Sequence, residues 1–163
     1  MSGFHDVYVL VPARSAETVE RFLDMFVPHR EPSADEYPVP QFADEPMTVF
    51  SNALDLVVYC VAHADVAHGI YWRSLDDCDP FHASAFFTSD GGMSLGLSVV
   101  ANPDRWLVEL FSMTGSEIGY WASEEPPPDS IDDFKDRAAK MANRETESHW
   151  ENVYPFSRDA ESS

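Results

Sequence analysis

The chain has 163 residues, of which 44% are hydrophobic and 13% aromatic, so its composition excludes disorder over most of its length. It carries 29 Asp and Glu against 10 Lys and Arg, a formal net charge of −19. Because contacts to phosphate groups need Lys and Arg, this charge disfavours binding to nucleic acids and to anionic membrane surfaces.

No targeting segment is recognisable in the sequence. The first residues lack the basic stretch of a secretory signal, and the apolar run at residues 7–11 is too short for one. No segment approaches the roughly 20 apolar residues of a membrane span. Cys60 and Cys78 fit no metal-binding or redox spacing, which indicates free thiols in a reducing compartment. We therefore expect a cytoplasmic protein.

The first two predicted elements are a strand and a helix. Residues 6–11 predict a strand that is apolar on both faces and therefore central in its sheet. Ser15 then caps a helix that ends at Pro28. Apolar residues occupy one face of this helix at helical spacing, namely Val19, Phe22, Leu23 and Phe26.

Residues 28–46 contain five prolines with Asp and Glu between them. We therefore expect an extended acidic loop without secondary structure of its own. Loops of this length are usually functional or mobile. We interpret it as a strap across the sheet, with Tyr37, Val39 and Phe42 as anchors.

Two apolar runs follow. Residues 47–62 predict strand structure interrupted at Ser51 and Asn52, and the unbroken apolar run at 56–62 predicts a strand buried on both faces. Residues 69–75 predict a returning strand, and residues 76–80 an acidic loop.

The next segment predicts a meander of four strands, at 84–88, 93–100, 106–113 and 116–123, joined by short turns rich in Gly, Asn, Asp and Pro. Ser130 begins a second amphipathic helix. The order of elements predicts an α+β fold: a mostly antiparallel sheet of about six or seven strands with two helices packed on one face. We expect a single domain over residues 1–150 and a flexible tail over residues 151–163.

The strand at 93–100 alternates large apolar with small residues, so its two faces differ. The turn lengths predict a register that puts its small residues on the face away from the helices, beside one carboxylate and three aromatic rings. The residues of this candidate ligand-binding face are Ser94, Gly96, Ser98, Glu109, Tyr120, Phe87 and Phe111.

Three interpretations of this face remain open. It is solvated or covered by the strap, it is a binding floor with Glu109 as the polar anchor, or it is a catalytic site with Glu109 as general base. No second acid, nucleophile–base pair or metal-ligand set accompanies Glu109, so no catalytic residue is assigned.

The common nucleotide-binding, hydrolase and zinc-protease motifs are missing. One group of ligand-type residues exists, but scattered loop histidines explain it better than a metal site, so we expect no metal and no cofactor. That group comprises His63, Asp65, His68, Cys78, Asp79 and His82.

The acidity has two interpretations: a general composition bias that confers solubility, or a surface that attracts a basic partner. An acidic and aromatic patch suited to such a partner is formed by Tyr71, Trp72, Asp76, Asp77 and Asp79. Many small bacterial binding, inhibitor and immunity-type proteins have the α+β construction predicted above, which is an analogy at the level of fold.

Our first hypothesis is therefore a non-enzymatic acidic protein that engages a basic protein partner, as an inhibitor or immunity-type protein does. The alternative is a small-molecule-binding domain or minor enzyme that uses the sheet face around Glu109 and Tyr120. A third hypothesis is a homodimer joined through the same non-helical face.

Overall fold

The computed structural model describes residues 3–153, with the side chains of residues 3–142. Within this range the chain forms four helices, Ala16–Phe26 (α1), Ala53–Ala62 (α2), Pro103–Thr114 (α3) and Ile131–Val153 (α4). The strands are His5–Leu10 (β1), Arg30–Pro32 (β2), Tyr37–Val39 (β3), Thr48–Phe50 (β4), His68–Ser74 (β5), His82–Phe87 (β6), Met93–Val99 (β7) and Gly119–Ala122 (β8). The fold is α+β.

Six strands form one antiparallel sheet in the order β2-β5-β6-β7-β1-β8, and β3 pairs with β4 in a separate two-stranded sheet. The register sets Val7 beside Leu97, Leu97 beside Ala83 and Ala83 beside Trp72. Because side chains alternate along a strand, this row faces one side of the sheet and the neighbouring row faces the other.

The first face of the sheet carries three helices. Its row of apolar side chains packs with the buried residues of α1, α2 and α3 in one hydrophobic core. In α1 these are the residues predicted from helical spacing, and the Ser15 hydroxyl accepts a hydrogen bond from the Thr18 backbone N–H at 3.1 Å, which caps the helix.

The second face carries α4 at the end formed by β1 and β8. Phe134, Ala138 and Met141 of this helix pack against Tyr8 and Tyr120 in a separate cluster. The prediction of two helices on one face is therefore wrong: there are four helices among the described residues, and α4 lies opposite the other three.

Residues 56–62 belong to α2, not to a buried strand. Ala53, Leu56, Val57 and Cys60 are its buried residues, at helical spacing. The Asn52 side chain accepts hydrogen bonds from the backbone N–H groups of the first turn at 2.8 and 3.1 Å. The predicted interruption at residues 51 and 52 is thus the cap that starts a helix.

Residues 106–113 belong to α3, so the predicted four-stranded meander is also wrong. Pro103 occupies the first turn, and Gly115 ends the helix with φ 75°, a conformation that glycine adopts without strain. Leu110 is fully buried, whereas Val108 is 64% exposed. Since α3 separates β7 from β8, β8 pairs with β1 instead of with its predicted neighbour.

The proline-rich segment at 28–46 contains two strands, although we expected none. β2 forms an edge of the large sheet by pairing with β5, and β3 pairs with β4. Of the three predicted anchors, Tyr37 and Val39 are buried, but Phe42 is 89% exposed. At the other end of the chain, α4 includes residues 151–153 of the predicted tail, and residues 154–163 lie outside the described residues.

Candidate functional site

The second face of the sheet contains four of the predicted ligand-binding residues. β7 presents Ser94, Gly96 and Ser98 there, and Tyr120 lies on the same face, because Gly96 and Tyr120 both pair with Tyr8 from opposite sides of β1. Tyr120 is covered by Phe134 of α4, with ring centroids 5.3 Å apart, so it belongs to the packed end of this face.

The other three predicted residues lie elsewhere. Glu109 is on α3, where its carboxylate is 3.7 Å from the Arg105 side chain one helical turn away. Phe111 is on the same helix and packs against the first-face core. Phe87 also faces that core, because the turn pairs it with Met93 and not with Ser94 as predicted. A shift of one residue in register moves a side chain to the opposite face.

The predicted partner-binding residues are likewise divided. Tyr71 is exposed on the second face, whereas Trp72 is only 4% exposed and lies in the first-face core. Asp76 lies 3.2 Å from the His29 ring, and Asp77 is exposed beside it in the chain. Asp79 accepts hydrogen bonds from two backbone N–H groups at 2.8 and 3.1 Å, which gives it a structural role.

Gly96 is covered by its neighbours on the second face. A Cβ at this position would lie 2.6 Å from Cδ1 of Tyr8 and 2.7 Å from Oγ of Ser84. The ring of Tyr8 therefore occupies the floor that we expected over Gly96, and the open space lies beside this ring.

That space is a cavity of about 380 Å³, which we call the Asp6 cavity. Its size falls within the range of pockets for small ligands. The segment at residues 124–126, after β8, forms one wall, and strands β1, β5, β6 and β7, with Phe4 just before β1, supply the rest. Its lining residues are Phe4, Asp6, Tyr8, Tyr71, His82, Ala83, Ser84, Leu97, Ser98, Glu124, Glu125 and Pro126.

A row of polar residues crosses the sheet at the cavity. The register aligns Asp6, Ser98, His82, Arg73 and Glu31 on five successive strands. The Ser98 hydroxyl donates a hydrogen bond to Oδ1 of Asp6 at 2.8 Å, and the Arg73 guanidinium pairs with the Glu31 carboxylate.

Burial raises the pKa of Asp6, because the charged carboxylate loses solvent. The Ser98 hydrogen bond and the nearby rings of His82 and His5 act in the opposite direction. Burial also raises the pKa of Tyr8, so its phenol stays protonated and acts as a donor near neutral pH.

The wall at residues 124–126 is attached to the sheet and to α4. The Tyr8 hydroxyl donates a hydrogen bond to the backbone carbonyl of Glu125 at 2.7 Å, and the Glu125 carboxylate pairs with Arg137. Two independent contacts therefore hold this wall in place beside Asp6.

The described residues include no group of three or more His, Cys, Asp or Glu side chains that could hold a metal ion. His68 is buried on the first face, with Nε2 2.9 Å from the Pro38 carbonyl, whereas His82 lies on the second face. His63 stacks on Tyr59, and Cys78 is exposed and free. The fold disperses these ligand-type residues.

The polar residues that matter most here, Asp6, Tyr8, His82 and Ser84, were not part of the predicted site. We interpreted residues 6–11 as apolar on both faces, although Asp6 and Tyr8 alternate with Val7 and Val9. The alternation was available in the sequence, but its neighbours across the sheet were not.

Comparison of the chain with models of protein families, with curated proteins and with solved structures gives no significant match. Between residues 3 and 153, no helix combines the length and apolar character needed to cross a membrane.

Proposed function

We propose that the chain is a non-enzymatic binding protein that engages a basic protein partner, as an inhibitor or immunity-type protein does. The observation that carries this proposal is the loop between β3 and β4, residues 40–47. It exposes Phe42 and Met47, at 89% and 78%, next to the exposed carboxylates of Asp44 and Glu45. Aromatic and methionine side chains with a charged rim are typical of protein interfaces.

The charges around this loop support a basic partner in particular. Neither Asp44 nor Glu45 forms an ion pair with a described residue, and Asp35 and Glu36 are exposed on the preceding loop. Between Arg30 and Arg105 the chain has one basic residue, Arg73, which pairs with Glu31. Such a one-sided surface accelerates capture of an oppositely charged protein.

The test is capture from a lysate of the source organism at low salt, followed by kinetics with the captured protein. We expect a basic protein whose association rate falls at least about tenfold between low and physiological ionic strength. The variants Phe42→Ala and Met47→Ala should slow neither folding nor expression, since both side chains are exposed, but should weaken capture strongly.

The matched control is Val108→Ala, an exposed apolar side chain on α3 at 64%. It should leave capture unchanged. An acidic captured protein, an association rate indifferent to salt, or equal capture by the Phe42→Ala variant would each overturn the proposal.

A second candidate, the binding of a small molecule on the second sheet face, is favoured by the Asp6 cavity. The sequence-based version of this hypothesis depended on Glu109 and Tyr120, and Glu109 lies on α3. The candidate therefore rests on Asp6 and Tyr8 instead. The homodimer stays a prediction, for which only the part of this face outside α4 is open.

A further inference from the structure

The Asp6 cavity lies next to the surface used in the proposed function. The ring of Tyr71 borders the cavity on one side and, on the other, a second hollow lined by Phe42 and Phe86. A protein docked on residues 40–47 would therefore lie beside the cavity, with Tyr71 as the wall that the two hollows share. A free small molecule can reach it without any partner.

The charges that line the cavity are negative. Asp6, Glu124 and Glu125 contribute carboxylates, neither Lys nor Arg is among the lining residues, and His82 is the one lining side chain that can carry a positive charge. Glu125 is paired with Arg137, which leaves Asp6 and Glu124 to act on a ligand. This arrangement repels anions and attracts cations.

The Asp6 carboxylate has an incomplete set of hydrogen-bond donors. Oδ1 accepts from Ser98, and no donor among the described residues contacts Oδ2. A partly buried carboxylate costs free energy unless its charge is paired or hydrogen-bonded, so an incoming N–H donor with positive charge satisfies it.

Three aromatic side chains complete the cavity, and each of them contacts another ring. Phe4 contacts Phe81 edge-on with centroids 5.9 Å apart, and Tyr71 contacts Phe86 in the same way at 5.4 Å. Tyr8 is held by its hydrogen bond to residue 125. Aromatic rings combined with a carboxylate are the usual surroundings of bound ammonium and guanidinium groups.

From these observations we propose that the Asp6 cavity binds an organic cation, an alkylammonium or guanidinium group, with Asp6 as its counter-ion. A metal ion is disfavoured, because the described residues offer no group of three metal-type ligands there. The inference rests on the proposed function only for one source of the cation, a Lys or Arg side chain of the partner. The other source is a free amine.

The first experiment titrates the chain with n-butylammonium and with ethylguanidinium, followed by amide NMR shifts. We expect saturable binding with a dissociation constant of about 1 mM, typical of very small ligands, and shifts concentrated at Ser84, Gly96 and Ser98. The neutral analogue n-butanol and the anion butyrate should give at least about tenfold weaker binding.

The decisive variant is Asp6→Asn, which keeps the shape and an acceptor for Ser98 but removes the charge. It should weaken butylammonium binding at least about tenfold. Glu20→Gln, on the exposed side of α1, changes the net charge equally and should leave binding unchanged. Thermal unfolding of both variants establishes that they are folded.

Equal binding of n-butanol, unchanged binding by the Asp6→Asn variant, or no shifts at the cavity would each overturn the inference. Capture of the partner separates the two sources: Asp6→Asn weakens it if the cation is a partner side chain and leaves it intact if the ligand is a free amine. If the wild-type chain captures no basic partner but still binds the amine, the proposed function alone is contradicted. If it captures a basic partner but does not bind the amine, this inference alone is contradicted.

Discussion

Arg14 and Asp6 are oppositely charged side chains on opposite sides of the same sheet. They differ in how completely their hydrogen bonds are formed. The Arg14 guanidinium lies 5.0 Å from the ring centroid of Phe87, on the first face. It donates hydrogen bonds to five backbone carbonyls, those of Cys60, His63, Val66, Thr88 and Gly92. Because these carbonyls belong to the end of α2, the turn after it and the β6–β7 hairpin, the Arg14 side chain joins the three segments.

Asp6 has one donor and borders an open cavity. Burial acts on both groups in the same sense, since it disfavours charge: it lowers the pKa of Arg14 and raises the pKa of Asp6. The protein completes the hydrogen bonds of Arg14 and leaves those of Asp6 incomplete. Arg14 therefore serves the fold, whereas the half-buried carboxylate of Asp6 beside the cavity is the feature on which our proposed cation site rests.

The largest loss of stability is expected for substitution of Arg14. Arg14→Leu should lower the free energy of unfolding by about 2–4 kcal/mol, because five hydrogen bonds from a charged donor are lost, although four of the carbonyls keep a backbone N–H donor. Arg14→Lys keeps the charge but not the planar fork, so its loss should be intermediate. Urea denaturation measures both, with Arg21→Leu on exposed α1 surface as the control. A loss below about 1 kcal/mol for Arg14→Leu would contradict the structural role.

On the Asp6 side, the tightest packing is at Gly96. Gly96→Val should lower the free energy of unfolding by about 1–3 kcal/mol, because its side chain would overlap Tyr8 and Ser84. It should also weaken butylammonium binding by displacing the Tyr8 ring. Gly3→Ala is the control, since its Cβ would meet only Val100, at 3.7 Å. Equal stability of Gly96→Val and wild type would mean that the Tyr8 ring moves freely.

The pH dependence of stability sharpens the difference between the two charges. Since folding raises the pKa of Asp6, this residue favours the folded state most below its ordinary value of 3.8, and that contribution is lost as pH rises. Asp6→Asn should therefore raise the thermal midpoint at pH 7 and not at pH 3. His82, on the same face as Asp6, and His5, its neighbour in the chain on the opposite face, are unchanged in this variant. A lower midpoint at pH 7 would contradict the prediction.

The smallest effects distinguish two buried phenols next to the cavity. The Tyr120 hydroxyl is buried without a hydrogen-bond partner among residues 3–142, whereas the Tyr8 hydroxyl bonds to residue 125. Tyr120→Phe should leave the free energy of unfolding unchanged or raise it by up to about 1 kcal/mol, and Tyr8→Phe should lower it by about 1 kcal/mol. Urea denaturation of the two variants side by side checks this, and effects of the same sign would contradict it.

Local patterns predicted part of this fold correctly. The spacing of apolar residues in α1, with its Ser15 cap, and the alternation in β7 both correspond to the structure. The pattern failed where a segment is apolar throughout, as in α2, because such a run has the same appearance in a buried strand and in a buried helix. For α2 and α3 the informative residues were the N-cap Asn52 and, in the first helical turn, Pro103.

The candidate site was predicted less well, because a site depends on register and on pairing over long distances in the chain. A one-residue difference in the turn after β6 moved Phe87 to the core. The helical α3 removed Glu109 and Phe111 from the sheet. Both errors concern which side chains meet, and no local pattern contains that information.

Periodicity and composition alone establish the large and small faces of residues 93–99, the amphipathic helices at both ends and the excess of carboxylates. The contact between Asp6 and Ser98, 92 residues apart, and the position of α4 over one end of the second face are visible only in the three-dimensional structure. The reason is that strand pairing selects among many registers by the packing of the whole core, and this packing leaves the cavity beside Asp6 open.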